Sequence, residues 1–233
     1  MGGLPFDAAA LDGVEGWLTH EQARRLHDAA AAVPPRGRIV EIGSFHGRST
    51  IALASAAPEG VEVVAIDPHA GTDRGPQEIE TSAATGEADH ERFLANLDRA
   101  GVRARVRHVR ALSQDALREV QGEIDVLYVD GAHRYRPARD DIVRWGARVR
   151  PGGTMLIHDS FSSIGVTAAI LRHLLWSRDF AYVGRTASLA EYRRAGTRLG
   201  STVRQLGQLP WFVRNVLVKI ALVLRLRSGD WPY

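Results

Sequence analysis

Short apolar runs alternate with longer amphipathic stretches along most of this chain. The apolar runs predict β-strands over residues 38–42, 61–66, 102–109, 124–129 and 154–157. Between them, apolar positions recur at helical spacing and predict helices over 19–33, 49–57, 91–100, 114–120, 139–149 and 166–176, the first opened by a Thr19–Gln22 capping box. Strands that alternate with helices in this way indicate a parallel sheet with right-handed crossovers.

Two further apolar runs, 180–183 and 189–192, flank the short polar connection 184–187 and predict a β-hairpin. The predicted fold class is therefore α/β: a doubly wound, Rossmann-like sheet that is mostly parallel and ends in an antiparallel β-hairpin. A dinucleotide dehydrogenase more often continues with parallel crossovers at this point, so the hairpin disfavours an NAD-dependent oxidoreductase.

The chain from Thr197 onward has a different pattern and predicts a C-terminal amphipathic helical extension, with Pro210 beginning a second helix. Its polar residues fall near one stripe of a helix: Arg204, Gln208, Asn215 and Lys219. We therefore divide the chain into a domain over 1–196 and a basic tail over 197–233. The apolar face of the tail must be covered by its own domain, by a membrane surface or by a second copy. A homodimer is the expectation, and membrane association is not.

Composition narrows the choice of partners. The 233 residues include no cysteine, which excludes disulfides and cysteine-ligated zinc. The 30 basic residues are nearly balanced by 27 acidic ones and are spread along the chain, so no nucleic-acid partner is expected. No signal peptide is predicted at the N-terminus, and basic residues interrupt the apolar stretch 211–226, so the expected location is cytoplasmic.

The turn between the first strand and its helix carries the first candidate binding motif, Glu41-Ile42-Gly43-Ser44-Phe45-His46-Gly47-Arg48-Ser49-Thr50. Glycines let the backbone turn tightly there, and the helix N-terminus offers N–H groups to an anion. The Gly-x-x-x-Gly spacing differs from the dinucleotide fingerprint, so the expected anion is the carboxylate of an amino-acid ligand, with Glu41 facing its ammonium group. A plain β–α turn is the alternative.

Polar residues also follow the next two strands. Asp67 ends the second strand, where an acid can accept hydrogen bonds from two ribose hydroxyls. Ser113 and Gln114 follow the third strand and can bond an adenine edge, and Ser113 can also cap the next helix. Together with the glycine turn, these residues predict a site for an adenosine-containing ligand.

Two carboxylates follow the fourth and fifth strands, in Asp130-Gly131-Ala132-His133 and His158-Asp159-Ser160. Neighbouring carboxylates repel unless a proton or a cation lies between them, and hard oxygen ligands suit Mg²⁺ or Mn²⁺. His133 has a side chain of near-neutral pKa and is the candidate general base. The alternative is that Asp159 only caps a helix and Asp130 contacts only the cofactor.

With these residues in place, the stretch 38–193 resembles the class I S-adenosylmethionine-dependent methyltransferases. Glu41, Gly43, Gly47 and Ser49, with Ser113-Gln114-Asp115, are similar to motifs of the catechol O-methyltransferases. Asp130-Gly131-Ala132-His133 and His158-Asp159 are similar to motifs of the macrocin and mycinamicin type sugar O-methyltransferases. This chain departs from both groups after the fifth strand, where His158 precedes Asp159 and Ser160 follows it.

The resemblance implies an O-methyltransferase that uses S-adenosylmethionine and Mg²⁺ or Mn²⁺. Its cofactor-binding residues would be Glu41, Gly43, Ser44, Gly47, Ser49, Asp67, Ser113, Gln114 and Asp130. Its metal ligands would be Asp130, Asp159 and His158, and its catalytic residues His133 and Asp130. The expected acceptor is a hydroxyl of a sugar, oligosaccharide or glycosylated small molecule; the alternatives are a catechol or phenol and, more distantly, a non-enzymatic nucleotide-binding or interaction module.

Overall fold

A seven-stranded sheet forms the centre of the protein in the computed structural model, which describes residues 6–71, 82–196 and 199–224. Its strands are β1 (Arg38–Ile42), β2 (Glu62–Ile66), β3 (Val106–Val109), β4 (Ile124–Val129), β5 (Val149–Ile157), β6 (Phe180–Thr186) and β7 (Leu189–Arg194). They lie in the order β3-β2-β1-β4-β5-β7-β6, and only the pairings of β7 with β5 and β6 are antiparallel. The predicted fold class is confirmed.

Eight α-helices accompany the sheet in the described residues: α1 (His20–Ala31), α2 (Arg48–Ala56), α3 (Ala83–Arg99), α4 (Ser113–Ala116), α5 (Tyr135–Asp140), α6 (Ile164–His173), α7 (Leu199–Leu206) and α8 (Leu209–Val223). Two apolar clusters pack on the sheet: one includes residues of α1, α2 and α3, the other residues of α4, α5 and α6. The chain leaves β1 toward β2 on one side and returns to β4 on the other. Such a switch point opens a crevice at the carboxyl ends of the strands.

The capping box predicted for α1 is present. The Thr19 side chain accepts a hydrogen bond from the Gln22 backbone N–H, and the Gln22 side chain accepts one from the Thr19 N–H over 2.8 Å. The Gln22 amide then donates to the Ser188 hydroxyl in the β6–β7 turn over 3.0 Å. Gln22 therefore both caps the start of α1 and links this helix to the turn between β6 and β7.

The ends of two strands differ from their predictions. β3 begins at Val106 rather than at residue 102, because Arg103–Arg105 form a 3₁₀ turn after Gly101, whose φ is +68°. β5 begins at Val149, so the Pro151-Gly152-Gly153 segment lies inside the strand instead of closing a helix. The register against β4 shifts there, from the pair Ile124–Val149 to the pair Val126–Thr154, which accommodates the extra residues.

Three helices also differ. α3 begins at Ala83 rather than near residue 91, because the Ser82 side chain caps it by accepting from the Thr85 N–H. The predicted helix 114–120 is the single turn α4. The predicted helix 139–149 begins earlier, as α5, and continues through the π-helical turn Asp141–Trp145 and the 3₁₀ turn Gly146–Arg148.

The polar stretch 69–89 is rich in Gly, Thr and Glu and is long for a loop, so the sequence predicts a functional loop there that closes over the site as a lid. In the structure this stretch is divided. Its last part belongs to α3, so the expectation of a loop is wrong for residues 83–89. His69, the first residue of this stretch, has left-handed backbone with φ +43°. Residues 72–81, which carry most of the predicted lid, lie outside the described residues.

Candidate active site

A cleft of about 780 Å³ opens where the carboxyl ends of the central strands meet. This volume falls in the range of small-molecule and cofactor sites. Eight of the predicted site residues line it: Gly43, Asp67, Ser113, Gln114, Asp130, His133, His158 and Asp159. The other four, Glu41, Ser44, Gly47 and Ser49, are not among the described residues that line it.

Gly43 lets the ends of β1 and β4 approach closely. Its φ is +86°, and a Cβ at this position would lie 2.1 Å from the backbone oxygen of Asp130. The Asp130 N–H donates to the Ile42 carbonyl over 2.8 Å, and the Gly43 N–H donates to the Ile66 carbonyl over 2.9 Å. A residue with a side chain cannot occupy this turn without moving Asp130.

Asp67 holds the glycine-rich turn in place. One of its carboxylate oxygens accepts from the backbone N–H groups of Ser44 and Phe45 over 3.0 and 2.9 Å, and the other accepts from the His69 N–H over 2.8 Å. His69 completes the link, because its Nε2 lies 2.9 Å from the Phe45 carbonyl. Asp67, which itself faces the cleft, thus bonds N–H groups of the turn that precedes α2. The binding of a ligand carboxylate by N–H groups at the start of α2 stays a prediction.

Glu41 is fully buried beneath the turn. Its two carboxylate oxygens accept hydrogen bonds from the hydroxyls of Ser49 and Thr50 at the start of α2. Burial raises the pKa of Glu41 to about 8; the two hydroxyls act against this rise, and the charges of Asp130 and Asp67 add to it. Its predicted contact with the ammonium group of a cofactor stays a prediction.

Arg48, in the first motif, holds the N-terminal segment beside the cleft. Its guanidinium donates to the carbonyl oxygens of Leu11, Val14 and Leu18 over 2.7–2.9 Å. This segment places Trp17 in the cleft wall, with its ring centroid 5.4 Å from that of Phe45. Trp17 is not predictable from the sequence, because no motif surrounds it and its position depends on Arg48.

Asp141 is the second site residue that the sequence argument missed. Its carboxyl accepts a hydrogen bond from the Ser113 hydroxyl over 2.5 Å, and it lines the cleft together with Ser113 and Gln114. Burial raises the pKa of Asp141 to about 6, opposed by the Ser113 hydrogen bond. A carboxyl on the turn after α5 carries no sequence signal, because only the fold brings it beside the end of β3.

Asp130, His133, His158 and Asp159 form a cluster at the ends of β4 and β5. His133 Nε2 lies 2.6 Å from an Asp159 carboxylate oxygen. His158 Nδ1 lies between the two acids, 3.2 Å from Asp130 and 3.3 Å from Asp159. The Tyr128 hydroxyl donates to the other Asp130 oxygen over 2.8 Å. Asp159 has φ +54°, and left-handed backbone of this kind in a non-glycine residue often marks a functional site.

The electrostatics of the cluster follow from burial and these pairings. Burial alone would lower the pKa of His133, but the hydrogen bond and charge of Asp159, with the charge of Asp130, raise it above its usual range. The pKa of His158 is raised well above its usual range because Asp130 and Asp159 outweigh its burial. Burial would raise the pKa of Asp159, but His158 and His133 lower it.

The same cluster offers the donor atoms of a metal site. The three residues differ from the predicted ligands in that His133 takes the place of His158. Asp130, His133 and Asp159 each offer a ligand atom, and these atoms lie within 4.8 Å of one another. His158 faces both carboxylates through Nδ1, and a protonated imidazole there would repel a cation. Two carboxylates and one imidazole suit Mn²⁺ or Fe²⁺ better than Mg²⁺.

Comparison with known proteins agrees with this geometry. The methyltransferase-domain family matches residues 40–160, just over half of the chain, so the chain belongs to that family. It is similar to the O-methyltransferase TomG from Streptomyces achromogenes, solved in complex with S-adenosylmethionine (SAM), with 21% identity and a TM-score of 0.59 over 82% of this chain and 92% of TomG. It is also similar to cofactor-bound Rv0187 from MTB, with 22% identity and a TM-score of 0.59 over 81% and 87% of the two chains.

A relative from Sinorhizobium fredii, the uncharacterized protein y4gI, is 29% identical over 148 residues. These residues are 62% of this chain but only 14% of y4gI, so the chain spans about a seventh of that protein.

Proposed function

We propose that this protein is a SAM-dependent O-methyltransferase whose acceptor hydroxyl is activated at the Asp130–His133–Asp159 cluster. The observation that carries the proposal is the 2.6 Å pairing of His133 with Asp159, in the same cleft as the glycine turn and Asp67. The SAM bound to TomG supports the choice of cofactor.

The residues along the cleft fit the parts of SAM, which when bound supplies the methyl group. Asp67 accepts three N–H groups, which leaves about one of its four lone-pair positions, on Oδ1, for a ribose hydroxyl. Ser113, Gln114 and Asp141 can hydrogen-bond an adenine edge. The Ser44 hydroxyl is buried and has no hydrogen-bond partner among the described residues, which suits a polar group of a ligand at the glycine turn.

His133 is proposed as the base that accepts the acceptor's proton. Asp159 orients the imidazole and stabilises its charged form after the proton arrives, as a carboxylate paired with a catalytic histidine does. His158 keeps the Asp159 carboxylate ionised, and Tyr128 fixes the orientation of Asp130. Methyl transfer also requires the acceptor oxygen to be held in line, so these contacts act mainly by positioning.

A divalent cation is a second candidate for the cluster, favoured by the three ligand atoms that lie within 4.8 Å. Asp130, Asp159 and His133 would hold it, and when bound it would lower the pKa of the acceptor hydroxyl as a Lewis acid. In that arrangement His133 serves as a ligand, so chelation separates the two candidates.

The proposed acceptor is a saccharide or glycosylated small molecule. Beside the cluster, the lining of the cleft includes the charged side chains of Arg134, Arg136 and Asp140, which can hydrogen-bond sugar hydroxyls, and the aromatic ring of Tyr135. Trp17 and Phe45 add an apolar wall that a sugar ring or a phenol can contact. The second acceptor class is therefore a catechol or phenol.

The test is methyl transfer from labelled SAM to a panel of saccharides and catechols. His133→Ala should lower kcat by about 10²- to 10⁴-fold, the usual effect of losing a general base. His20→Ala is the matched control, because His20 is exposed at the start of α1. Wild-type kcat in His133→Ala would contradict the role of His133.

Chelator is added to the wild-type protein in the same assay. Loss of activity that Mn²⁺ restores would assign the cluster to a metal, and unchanged activity would assign it to metal-free base catalysis. No transfer to any hydroxyl in the panel, together with no binding of SAM, would contradict the proposed function as a whole.

A further inference from the structure

The C-terminal helices dock on the domain through their polar side. The Ser201 hydroxyl accepts from the Tyr182 N–H over 2.6 Å, and the Thr202 hydroxyl donates to the Leu175 carbonyl over 3.3 Å. On α8, the Asn215 amide donates to the Phe161 carbonyl over 3.2 Å, and Lys219 Nζ donates to the Ser162 carbonyl over 2.9 Å. The tail therefore docks on its own domain mainly through polar side chains, together with Trp211 and Phe212, which pack against the core. A membrane surface and a second copy remain as covers for the apolar residues that stay exposed.

The opposite side of both helices is apolar and exposed. Its residues recur at spacings of three and four within each helix and together are called the α7–α8 face: Leu199, Val203, Leu206, Val213, Leu217, Ile220 and Leu224. Leu199 is 78% exposed and Leu217 is 60% exposed. Single exposed apolar residues are ordinary, but a group of this size indicates a surface that binds something.

Charge favours lipid over a second copy of the chain. The described stretch 199–224 contains the basic residues Arg204, Arg214 and Lys219 and no aspartate or glutamate. Paired helices normally flank their apolar seam with complementary charges, and two copies of this stretch would bring only basic groups together. Arg204 and Lys219 bond backbone carbonyl oxygens on the domain side, and Arg214 is exposed next to Val213. An apolar face on a basic segment without carboxylates instead matches an anionic membrane surface.

The helices are positioned to lie on a membrane rather than to cross it. By length and composition the segment Leu199–Val223 could span a bilayer, and only 6% of its most apolar window is buried. However, it is interrupted at Gly207–Gln208, and its polar side is hydrogen-bonded to the domain at both helices. A span would have to break these bonds, whereas a helix lying in the interface keeps them.

We propose that the α7–α8 face binds the surface of a bilayer that contains anionic lipid. α8 bonds the carbonyls of Phe161 and Ser162, which lie two and three residues after Asp159, so a docked α8 holds the active-site end of β5 next to the membrane. The proposal does not depend on the methyl-transfer reaction, and it replaces the expectation of a homodimer as the cover for this face.

The test is flotation of the full chain with vesicles of phosphatidylcholine alone or mixed with phosphatidylglycerol. The protein should float with the mixed vesicles and be released by high salt. The double variant Leu217→Glu, Ile220→Glu should bind about tenfold more weakly or worse, since both apolar area and cationic attraction contribute to interfacial binding. Val143→Glu is the matched control and should bind as the wild type does, because Val143 is exposed on a different helix.

Melting curves check that each variant is folded. If the double variant does not fold, Arg214→Glu, which reverses an exposed charge beside the α7–α8 face, should weaken binding to the mixed vesicles. Wild-type protein that binds neither vesicle would overturn the proposal. Light scattering would then assign the face to a second copy if the wild type is a dimer and the double variant a monomer. Vesicle binding equal to that of the wild type by the folded Leu217→Glu, Ile220→Glu variant, or by Arg214→Glu in its place, would also overturn the proposal.

Discussion

At the scale of single residues, Glu41 is a buried carboxyl whose pKa is raised to about 8 by burial. In the unfolded chain this group titrates near its usual pKa. Its contribution to stability is therefore fully present below about pH 4.5 and is lost as the pH rises through the folded-state value. Folded protein at neutral pH favours the protonated form of Glu41.

Glu41→Gln should therefore gain stability relative to the wild type as the pH rises. The glutamine can accept from one of the Ser49 and Thr50 hydroxyls and donate to the other, without the cost of burying a charge. The difference in free energy of unfolding, variant minus wild type, should increase between pH 4.5 and 8 by on the order of a few kcal/mol. Denaturant titrations at several pH values measure it. A difference that does not vary with pH would show that Glu41 has no raised pKa.

Tyr128 is a positioning residue for Asp130, to which its hydroxyl donates over 2.8 Å. Tyr128→Phe should lower kcat by about tenfold while KM for SAM changes little, because one hydrogen bond to a charged group is lost. Tyr192→Phe is the control, since the Tyr192 hydroxyl is buried without a hydrogen-bond partner among the described residues. Tyr192→Phe should have the kcat of the wild type, and its free energy of unfolding should be equal to that of the wild type or higher. Equal kcat in both variants would contradict a positioning role for Tyr128.

Residues at the ends of strands were predictable from the sequence, because the carboxyl ends of parallel strands meet at one edge of the sheet. This rule brought Asp67, Asp130, His133 and Asp159 to one cleft. It could not find Trp17 or Asp141, since their places depend on tertiary contacts with Arg48 and Ser113. That His133, rather than the predicted His158, joins Asp130 and Asp159 as the third possible metal ligand also depends on side-chain geometry that no motif encodes.

At the scale of elements, α6 packs tightly against the loop that carries His133. A Cβ on Gly165 would lie 2.2 Å from the His133 backbone oxygen and 2.7 Å from the Tyr135 backbone nitrogen. The Ser163 hydroxyl, which precedes α6, also donates to the His133 carbonyl over 3.2 Å. The start of α6 therefore fixes where His133 lies.

Gly165→Ala should displace this loop and lower kcat by about tenfold or more, because small misplacements of a catalytic group are costly. Binding of S-adenosylhomocysteine should change less than kcat does. Gly184→Ala is the control, since a Cβ at Gly184 meets no atom within 4 Å. Steady-state kinetics and calorimetry on the two variants measure the effects. Unchanged kcat in Gly165→Ala would mean that α6 does not position His133.

Elements were predicted best where the hydrophobic period was strong. β1 and β4 have the predicted bounds, whereas β5 and α3 extend beyond theirs. In both cases glycines, which usually indicate a turn or loop, lie within a regular element. Gly152 and Gly153 lie within a bulged strand, and Gly86 lies within α3. A Cβ on Gly86 would lie 2.2 Å from the His69 backbone oxygen, so this glycine serves close packing rather than a loop.

At the scale of the whole molecule, the strand order and the two apolar clusters place every candidate functional residue of the cleft at one edge of the sheet. The tail was predicted as amphipathic helices, and α7 and α8 confirm that pattern. The side of the tail that faces the domain could not be predicted from the sequence. Polar side chains of the tail donate hydrogen bonds to the carbonyls of Leu175, Phe161 and Ser162, and these groups come together only in the folded molecule. The boundary between 196 and 197 stays a prediction.

Binding of the cofactor tests the central claim most directly, because it requires no knowledge of the acceptor. Isothermal titration of the full chain should show one S-adenosylhomocysteine bound per chain, while NAD⁺ gives no heat of binding. The same ligand should raise the melting temperature, since at about 100 times Kd a ligand adds about 2.7 kcal/mol to the free energy of unfolding. Binding of NAD⁺ without binding of S-adenosylhomocysteine would contradict the account.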